Sequence, residues 1–213
     1  MAEITWLGLA SFRLRGKDAT IVTDPFDRGF GLDLPRPRAD IVTVSRTDPA
    51  HDAVANVKGE FRVLRGPGEY EVQHIFINGV GTFADGKNGA VRGKNTIFVY
   101  ELDDLVICHL GGLAHTLSTE AVEALSDVSV LLVPVGDPEA LDPARAAEVI
   151  AQIEPPLVVP MMYKTGPETL PLESLARFAK EMGLKEWQSQ DKLVIKGPDL
   201  PETTQVVVLN VKS

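Results

Sequence analysis

The chain has little cysteine, little basic charge and no long apolar stretch. A single cysteine, Cys108, among 213 residues excludes an internal disulfide framework and is compatible with a reducing cytoplasm. With 21 Lys and Arg against 30 Asp and Glu, the net charge of −9 argues against nucleic acid or an anionic membrane as partner. No apolar run is long enough to cross a bilayer, and the N-terminal MAEITWLG lacks the pattern of a secretory signal. These absences favour a soluble, acidic, cytoplasmic protein.

The first half of the chain is rich in short strand-like segments. Its composition, 44% hydrophobic and 24% charged, is that of an ordinary globular protein. Strands are predicted at EITWLG, SFRLR, ATIVTD, DIVTVS (40–45), FRVL (61–64), HIFIN (74–78), NTIFVYEL (95–102) and DLVICHL (104–110). The stretch GPGEYE (66–71) is predicted to be a turn because of its glycines and proline.

The second half alternates between helical and buried-strand patterns. Helices are predicted at STEAVEALS, DPARAAEVIAQI and PLESLARFAKEM. The buried strand SVLLVPV follows the first helix and the buried strand PLVVP follows the second, and the strands KLVIK and QVVVLNV come after the third. Asp142 suits the N-cap of the second helix, Pro143 its first position, and Gly183 the end of the third. We therefore predict one α/β domain over residues 1–213, with two sheets and outer helices.

A polar loop follows the apolar segment at 41–44. It holds a cation (Arg46), a carboxylate (Asp48) and an imidazole (His51) within six residues. Polar groups at the point where a buried strand ends are typical of a metal site or a catalytic loop. This loop is the first candidate for chemistry.

The order of several motifs resembles the metallo-β-lactamase-fold hydrolases, in particular the small bacterial branch similar to ascorbate-phosphate lactonases. The matching stretches are ITWLG, VTDPF (22–26), ADIVTVS (39–45), GPGEYEV (66–72), CHLGGLAH (108–115), LLVPVG (131–136) and VVPMMYKT (158–165). The resemblance implies an αββα four-layer sandwich with the site along the edge where the sheets meet. It also implies one or two zinc, manganese or iron ions and hydrolysis of esters, lactones, amides or phosphodiesters.

The residues expected to bind metal are mostly replaced. The family's H-x-H-x-D-H loop corresponds to Arg46, Asp48, Ala50 and His51, and further family ligand positions hold Ala84, Gly112 and Met162. Leu9 stands where a histidine usually follows WLG, and Asp24 lies beside the metal centre in relatives. Alanine and glycine supply no ligand, and an arginine repels a divalent cation. The resemblance therefore predicts no cofactor, and a metal-free pseudoenzyme that serves as a binding or structural module.

A hydrolase that still works is the alternative hypothesis. It would need either a rearranged metal site, drawn from Asp24, Asp48, His51 and His109, or a metal-free mechanism. The metal-free mechanism needs a base and an oxyanion stabiliser, and His51, Asp24, Tyr163 and Lys164 are the candidates by family position.

The individual residues carry further expectations. His51 is expected to be a loop or cap residue, whereas His109 and Cys108 are expected in the core. Arg46 is expected to replace the missing cation by pairing with Asp24, Asp48 or both. Self-association and a small-molecule ligand in the vestigial pocket are the expected partners.

Overall fold

The computed structural model describes residues 1–212 and contains two main β-sheets. The strands, numbered along the chain, form a first sheet of β1 (Ala2–Gly8), β2 (Ser11–Arg15), β3 (Thr20–Thr23), β4 (Ile41–Val44), β5 (Arg62–Arg65) and β13 (Leu193–Ile195). The spatial order is β13-β1-β2-β3-β4-β5. The pairs β3–β4 and β4–β5 are parallel, and the pairs from β13 to β3 are antiparallel.

The second sheet has seven strands in the spatial order β14-β11-β10-β9-β8-β7-β6. Its members are β6 (Gly68–Val72), β7 (Ile75–Phe83), β8 (Lys94–Leu102), β9 (Leu105–His109), β10 (Val130–Pro134), β11 (Leu157–Met161) and β14 (Gln205–Val206). A short pair, β12 (Ser189–Gln190) and β15 (Val208–Leu209), lies outside these two sheets. Every residue of β4, β10 and β11 is buried, as expected for parallel strands that are covered on both faces.

The helices all follow residue 118. They are α1 (Thr119–Glu123), α2 (Pro143–Ile153) and α3 (Leu175–Glu181), and short 3₁₀ turns occupy Arg28–Phe30, Val54–Asn56 and Gly197–Asp199. Asp142 caps α2 as predicted, because its carboxylate accepts a hydrogen bond of 2.9 Å from the amide of Arg145. Helices α1 and α2 provide the crossovers that join the parallel strands β9, β10 and β11. The predicted α/β fold with two packed sheets is confirmed.

The predicted turn at GPGEYE is wrong over most of its length. Only residues 66–67 turn, and Gly68–Val72 forms β6, which pairs antiparallel with β7. Tyr70 covers the turn and donates to the carbonyls of Arg65 and Gly66. Because β6 is an edge strand, its glutamates stand in solvent, so a polar sequence is compatible with a strand here. Within residues 1–212, no helix is long and apolar enough to cross a membrane.

Candidate active site

Three corners of the backbone surround the candidate site. Leu9 follows β1, Asp24 follows β3 and Met162 follows β11, and all three have positive φ, at 48°, 38° and 55° respectively. Residues other than glycine rarely adopt a positive φ, because this backbone conformation is unfavourable. Residues that do adopt it are concentrated at functional sites. The amide of Met162 donates to the carbonyl of Leu9 over 3.3 Å, which ties the two sheets together at this edge.

Asp24 lies at the centre of a buried hydrogen-bond network. Its Oδ1 accepts from the amide of Ser45 at 2.7 Å, and its Oδ2 accepts from the Ser45 hydroxyl at 2.5 Å. The same Oδ2 lies 2.7 Å from Nδ1 of His51. A carboxylate only accepts, so this contact fixes the proton of a neutral His51 on Nδ1 and leaves Nε2 as the acceptor. His51 lies in the loop after β4, as expected, but its side chain is almost wholly buried rather than exposed.

The environment keeps Asp24 ionised. Burial alone would raise the pKa of this carboxyl, but the charge and hydrogen bond of His51, the charge of His109 and the Ser45 hydroxyl together lower the pKa below its usual range. An ionised, oriented carboxylate beside an imidazole is the arrangement that makes the imidazole a better proton acceptor.

His51 lines a cavity of about 300 Å³. Among residues 1–212 its Nε2 has no hydrogen-bond partner, whereas Nδ1 is turned towards Asp24. Arg46, Asp48, Ala50 and Met162 line the same cavity, so five of the candidate positions found in the sequence meet here. One imidazole nitrogen is therefore free to act on a molecule bound in this cavity.

Arg46 pairs with one of its two expected partners. Its Nε lies 2.6 Å from Oδ2 of Asp48, and the Arg46 side chain is only 10% exposed. The expectation that Arg46 pairs with Asp24, Asp48 or both is therefore met by Asp48 alone, and both oxygens of Asp24 are instead engaged by Ser45 and His51. The guanidinium also donates to the carbonyl of Arg92 at 3.4 Å.

Arg46 occupies the space beside Gly112. A Cβ placed on Gly112 would lie 2.8 Å from Cδ of Arg46 and 3.2 Å from its Nη1. A side chain at position 112 and the present conformation of Arg46 therefore exclude each other. The amide of Gly112 donates to the Asn95 side chain at 2.8 Å, which holds the backbone under the guanidinium.

Arg92 and Asp85 were missed by the sequence analysis. The loop after β7 folds around Asp85, whose carboxylate accepts from the four amides of Lys87, Gly89, Val91 and Arg92. Hydrogen bonds led by that of the Arg92 amide hold the pKa of Asp85 well below its usual range. The loop places Arg92 on the wall of the His51 cavity. Ala84, the candidate position just before Asp85, is wholly buried and does not line that cavity. No short sequence signal marks such a loop.

The remaining candidates lie apart from this cavity. His109 is wholly buried, and its Nε2 lies 2.8 Å from the carbonyl of Ala10, so its prediction as a core histidine is confirmed. Cys108 is also wholly buried, and burial raises the pKa of its thiol. Tyr163 and Lys164 line a different pocket, on the Trp6 side of the corner at 162. They are therefore not partners of His51.

The donor atoms at this site do not fit the metal ions that the fold implies. Among residues 1–212, no group of three or more His, Cys, Asp and Glu side chains is placed to hold a metal ion. Both oxygens of Asp24 accept hydrogen bonds within the protein. Arg46 lines the same cavity as His51, and its permanent positive charge repels a divalent cation there. Asp24 and His51 are hydrogen-bonded to each other and belong to no such group of three.

Comparison with known proteins identifies the family. The model of the beta-lactamase superfamily domain matches residues 3–162. A candidate Zn-dependent hydrolase of the metallo-β-lactamase superfamily from Thermotoga maritima is 37% identical, with 98% of both chains covered and a TM-score of 0.81. The chain belongs to the metallo-β-lactamase superfamily.

Curated relatives point to one branch of that superfamily. A UPF0173 metal-dependent hydrolase from Desulforamulus reducens is 25% identical over 195 residues, which cover 78% of this chain and 86% of the relative. Another from Pelotomaculum thermopropionicum is 28% identical over 197 residues, with 78% and 86% covered. A possible metal-dependent hydrolase from Veillonella parvula, only 14% identical, shares the fold with a TM-score of 0.72.

The interpretation of the chain as a pseudoenzyme is wrong. The relatives that match most of its length are named as hydrolases, and the Thermotoga maritima neighbour is 37% identical over nearly the whole chain. These findings favour the alternative hypothesis of an active hydrolase. The pseudoenzyme interpretation took the loss of the family's metal ligands as the loss of every reactive group. The Asp24–His51 pair nevertheless remains.

Proposed function

We propose that the chain is a hydrolase of small esters or lactones in which the Asp24–His51 pair activates water without a resident metal. The observation that carries this proposal is that His51 lines a cavity of about 300 Å³ while its Nδ1 is held by a buried carboxylate, which leaves Nε2 without a hydrogen-bond partner among residues 1–212. The relatives' names support the hydrolase class, and the donor set of this chain supports the metal-free chemistry.

The proton balance follows from the geometry. Nε2 of His51 takes a proton from a water molecule as the water oxygen attacks the acyl carbon, and Asp24 stabilises the imidazolium that forms. The carbonyl oxygen becomes an oxyanion, and the guanidinium of Arg46, which lines the same cavity, stabilises it. When the tetrahedral intermediate collapses, the acyl–oxygen bond breaks and the leaving alkoxide takes the proton from His51.

The cavity wall selects the substrate by size and polarity. Phe30, Leu170 and Leu172 are apolar residues of its lining, and the charged residues are Arg46, Arg92, Asp48, Asp137 and Glu139. An acyl group of a few carbons fits against these apolar residues, and its carbonyl then faces the charged ones. A larger substrate would have to extend out of the cavity.

The location of the activity is part of the proposal. We place it in the cytoplasm, where a protein with one cysteine needs no oxidising environment. The support is that Cys108 is wholly buried and forms no disulfide.

The test compares hydrolysis of 4-nitrophenyl acetate, a γ-lactone and bis(4-nitrophenyl) phosphate by the wild type and by His51→Gln. The wild type should hydrolyse the ester or the lactone, and His51→Gln should lower kcat/KM by roughly 10²–10⁴-fold, the usual contribution of a general base. His74→Asn is the matched control, because His74 is exposed and remote from the cavity. Equal turnover in wild type and His51→Gln would refute the proposal, as would turnover of the phosphodiester alone.

A chelator separates the metal-free mechanism from a metal-dependent one. Incubation with EDTA should leave the rate unchanged, and thermal unfolding of each variant should show that it is folded. Loss of activity with EDTA and its recovery with zinc would overturn the metal-free step.

A further inference from the structure

A second cavity, of about 260 Å³, adjoins the His51 cavity and has only cations among its charged lining residues. Arg46, Arg65, Arg92 and Lys94 line it, together with uncharged residues that include Thr47 and Gly66. We call this group of four cations and its cavity the basic cleft. It stands out because the whole chain has a net charge of −9.

The cations of the basic cleft are held from outside it. Arg65 lies 2.7 Å from Asp52, and Arg92 lies 3.5 Å from both Asp137 and Glu139, but none of these carboxylates lines the cleft. Each guanidinium has five N–H donors in a fixed plane, so one ion pair leaves donors for a second anion.

Lys94 supplies charge that the protein does not neutralise. Among residues 1–212, no carboxylate lies within 4.0 Å of its ammonium, in contrast to the three arginines. Lys94 is the first residue of β8, and the loop that Asp85 folds places Arg92 two residues before it. The charged side chains that line the cleft are therefore all cations, and the carboxylates that pair with the three arginines lie outside it.

Two of these arginines also line the cavity that holds His51. Arg46 and Arg92 stand between the two cavities, and the Arg46 guanidinium donates to the Arg92 carbonyl at 3.4 Å. We propose that the basic cleft binds an anionic substituent, a phosphate or a carboxylate, of a substrate whose acyl group lies beside His51. This assignment of substrate class rests on the proposed hydrolase function, whereas anion binding by the cleft does not.

Binding of inorganic phosphate and of acetate, each measured by isothermal titration calorimetry, tests the cleft directly. At least one of the two anions should bind the wild type at one site, and Lys94→Gln should weaken that binding by about tenfold, the usual effect of one charge-assisted hydrogen bond. Phosphate binding would assign the cleft to phosphoryl groups, and acetate binding alone to carboxylates. Lys180→Gln, an exposed lysine on α3, is the control and should bind as the wild type does.

The result that overturns the basic cleft is an absence of binding by both anions, or equal affinity in wild type and Lys94→Gln. His51→Gln separates this inference from the proposed function, because it should lose hydrolysis and keep the anion affinity. Anion binding without any ester or lactone turnover would refute the hydrolase and leave the cleft. Turnover of a neutral ester with no anion binding would support the hydrolase and refute the basic cleft.

Discussion

Oδ2 of Asp24 lies 2.7 Å from Nδ1 of His51, and the two side chains are 1% and 4% exposed. The contact joins the corner after β3 to the loop after β4, so the pair can form only when these two parallel strands are in register. The site is thus assembled by the sheet and not by the loop alone.

Replacement of Asp24 by asparagine should make the protein less stable in a pH-dependent way. The folded-state pKa of Asp24 lies below the unfolded value of about 3.9, so its stabilisation is complete above that pH and is lost as the pH falls through the folded pKa. Urea unfolding should show a deficit of about 3 kcal/mol in Asp24→Asn from pH 5 to 7, the usual cost of breaking a buried pair. This gap should narrow below about pH 4. Asp18→Asn, an exposed turn residue, should show no such gap.

The Arg46–Asp48 pair should contribute an intermediate energy. Its side chains are 10% and 28% exposed, between the fully buried and fully exposed cases. A double-mutant cycle with Arg46→Ala and Asp48→Ala should give a coupling of about 1–2 kcal/mol. The exposed pair Arg28–Asp33, separated by 3.6 Å, is the matched control and should couple by less than about 0.5 kcal/mol. Equal coupling in the two pairs would contradict the burial argument.

A methyl group at position 112 should be tolerated only when Arg46 is shortened. Because the new Cβ would lie 2.8 Å from Cδ of Arg46, Gly112→Ala should destabilise the fold by about 1–3 kcal/mol, as overpacking does. In an Arg46→Ala background, the same substitution should cost much less. Gly86→Ala has no atom within 4 Å of its Cβ and serves as the control. Thermal unfolding measures all four variants, and additive effects of the two changes would refute the steric relationship.

His109 should make stability fall as the solution becomes mildly acidic. Burial lowers the pKa of this imidazole, although the charge of Asp24 and the carbonyl of Ala10 oppose the shift. The unfolded chain therefore binds a proton more readily near pH 6.5, so stability is complete above that pH and declines below it. The decline from pH 7.5 to 5.5 should be smaller in His109→Gln than in wild type, and unchanged in His74→Asn. An identical decline in wild type and His109→Gln would contradict this assignment.

Most strands and helices could be predicted because their determinants are local. Alternation of apolar residues, the Asp142 cap and the following Pro143 act within a few residues, and the structure has the elements where these signals occur. The pairing of Arg46 with Asp48 is local as well. The edge strand Gly68–Val72 was missed because its exposure removes the apolar pattern on which strand prediction depends.

The chemistry of the site depends on contacts between distant parts of the chain. Nothing near His51 in the sequence indicates that Asp24, 27 positions earlier, accepts a hydrogen bond from its Nδ1. Family position placed Tyr163 beside the site, but the left-handed turn at Met162 directs it to another pocket. Arg92 depends on a loop folded by backbone amides, which no side-chain pattern reveals.

The left-handed corners at Leu9, Asp24 and Met162 fix the direction in which each Cβ leaves the chain, whatever side chain is attached. The backbone thus sets these three directions around the site. Protein engineers could introduce a new donor group at position 162, and at position 112 once Arg46 is shortened. In this scaffold, one kind of reactivity could be exchanged for another by side-chain replacement alone.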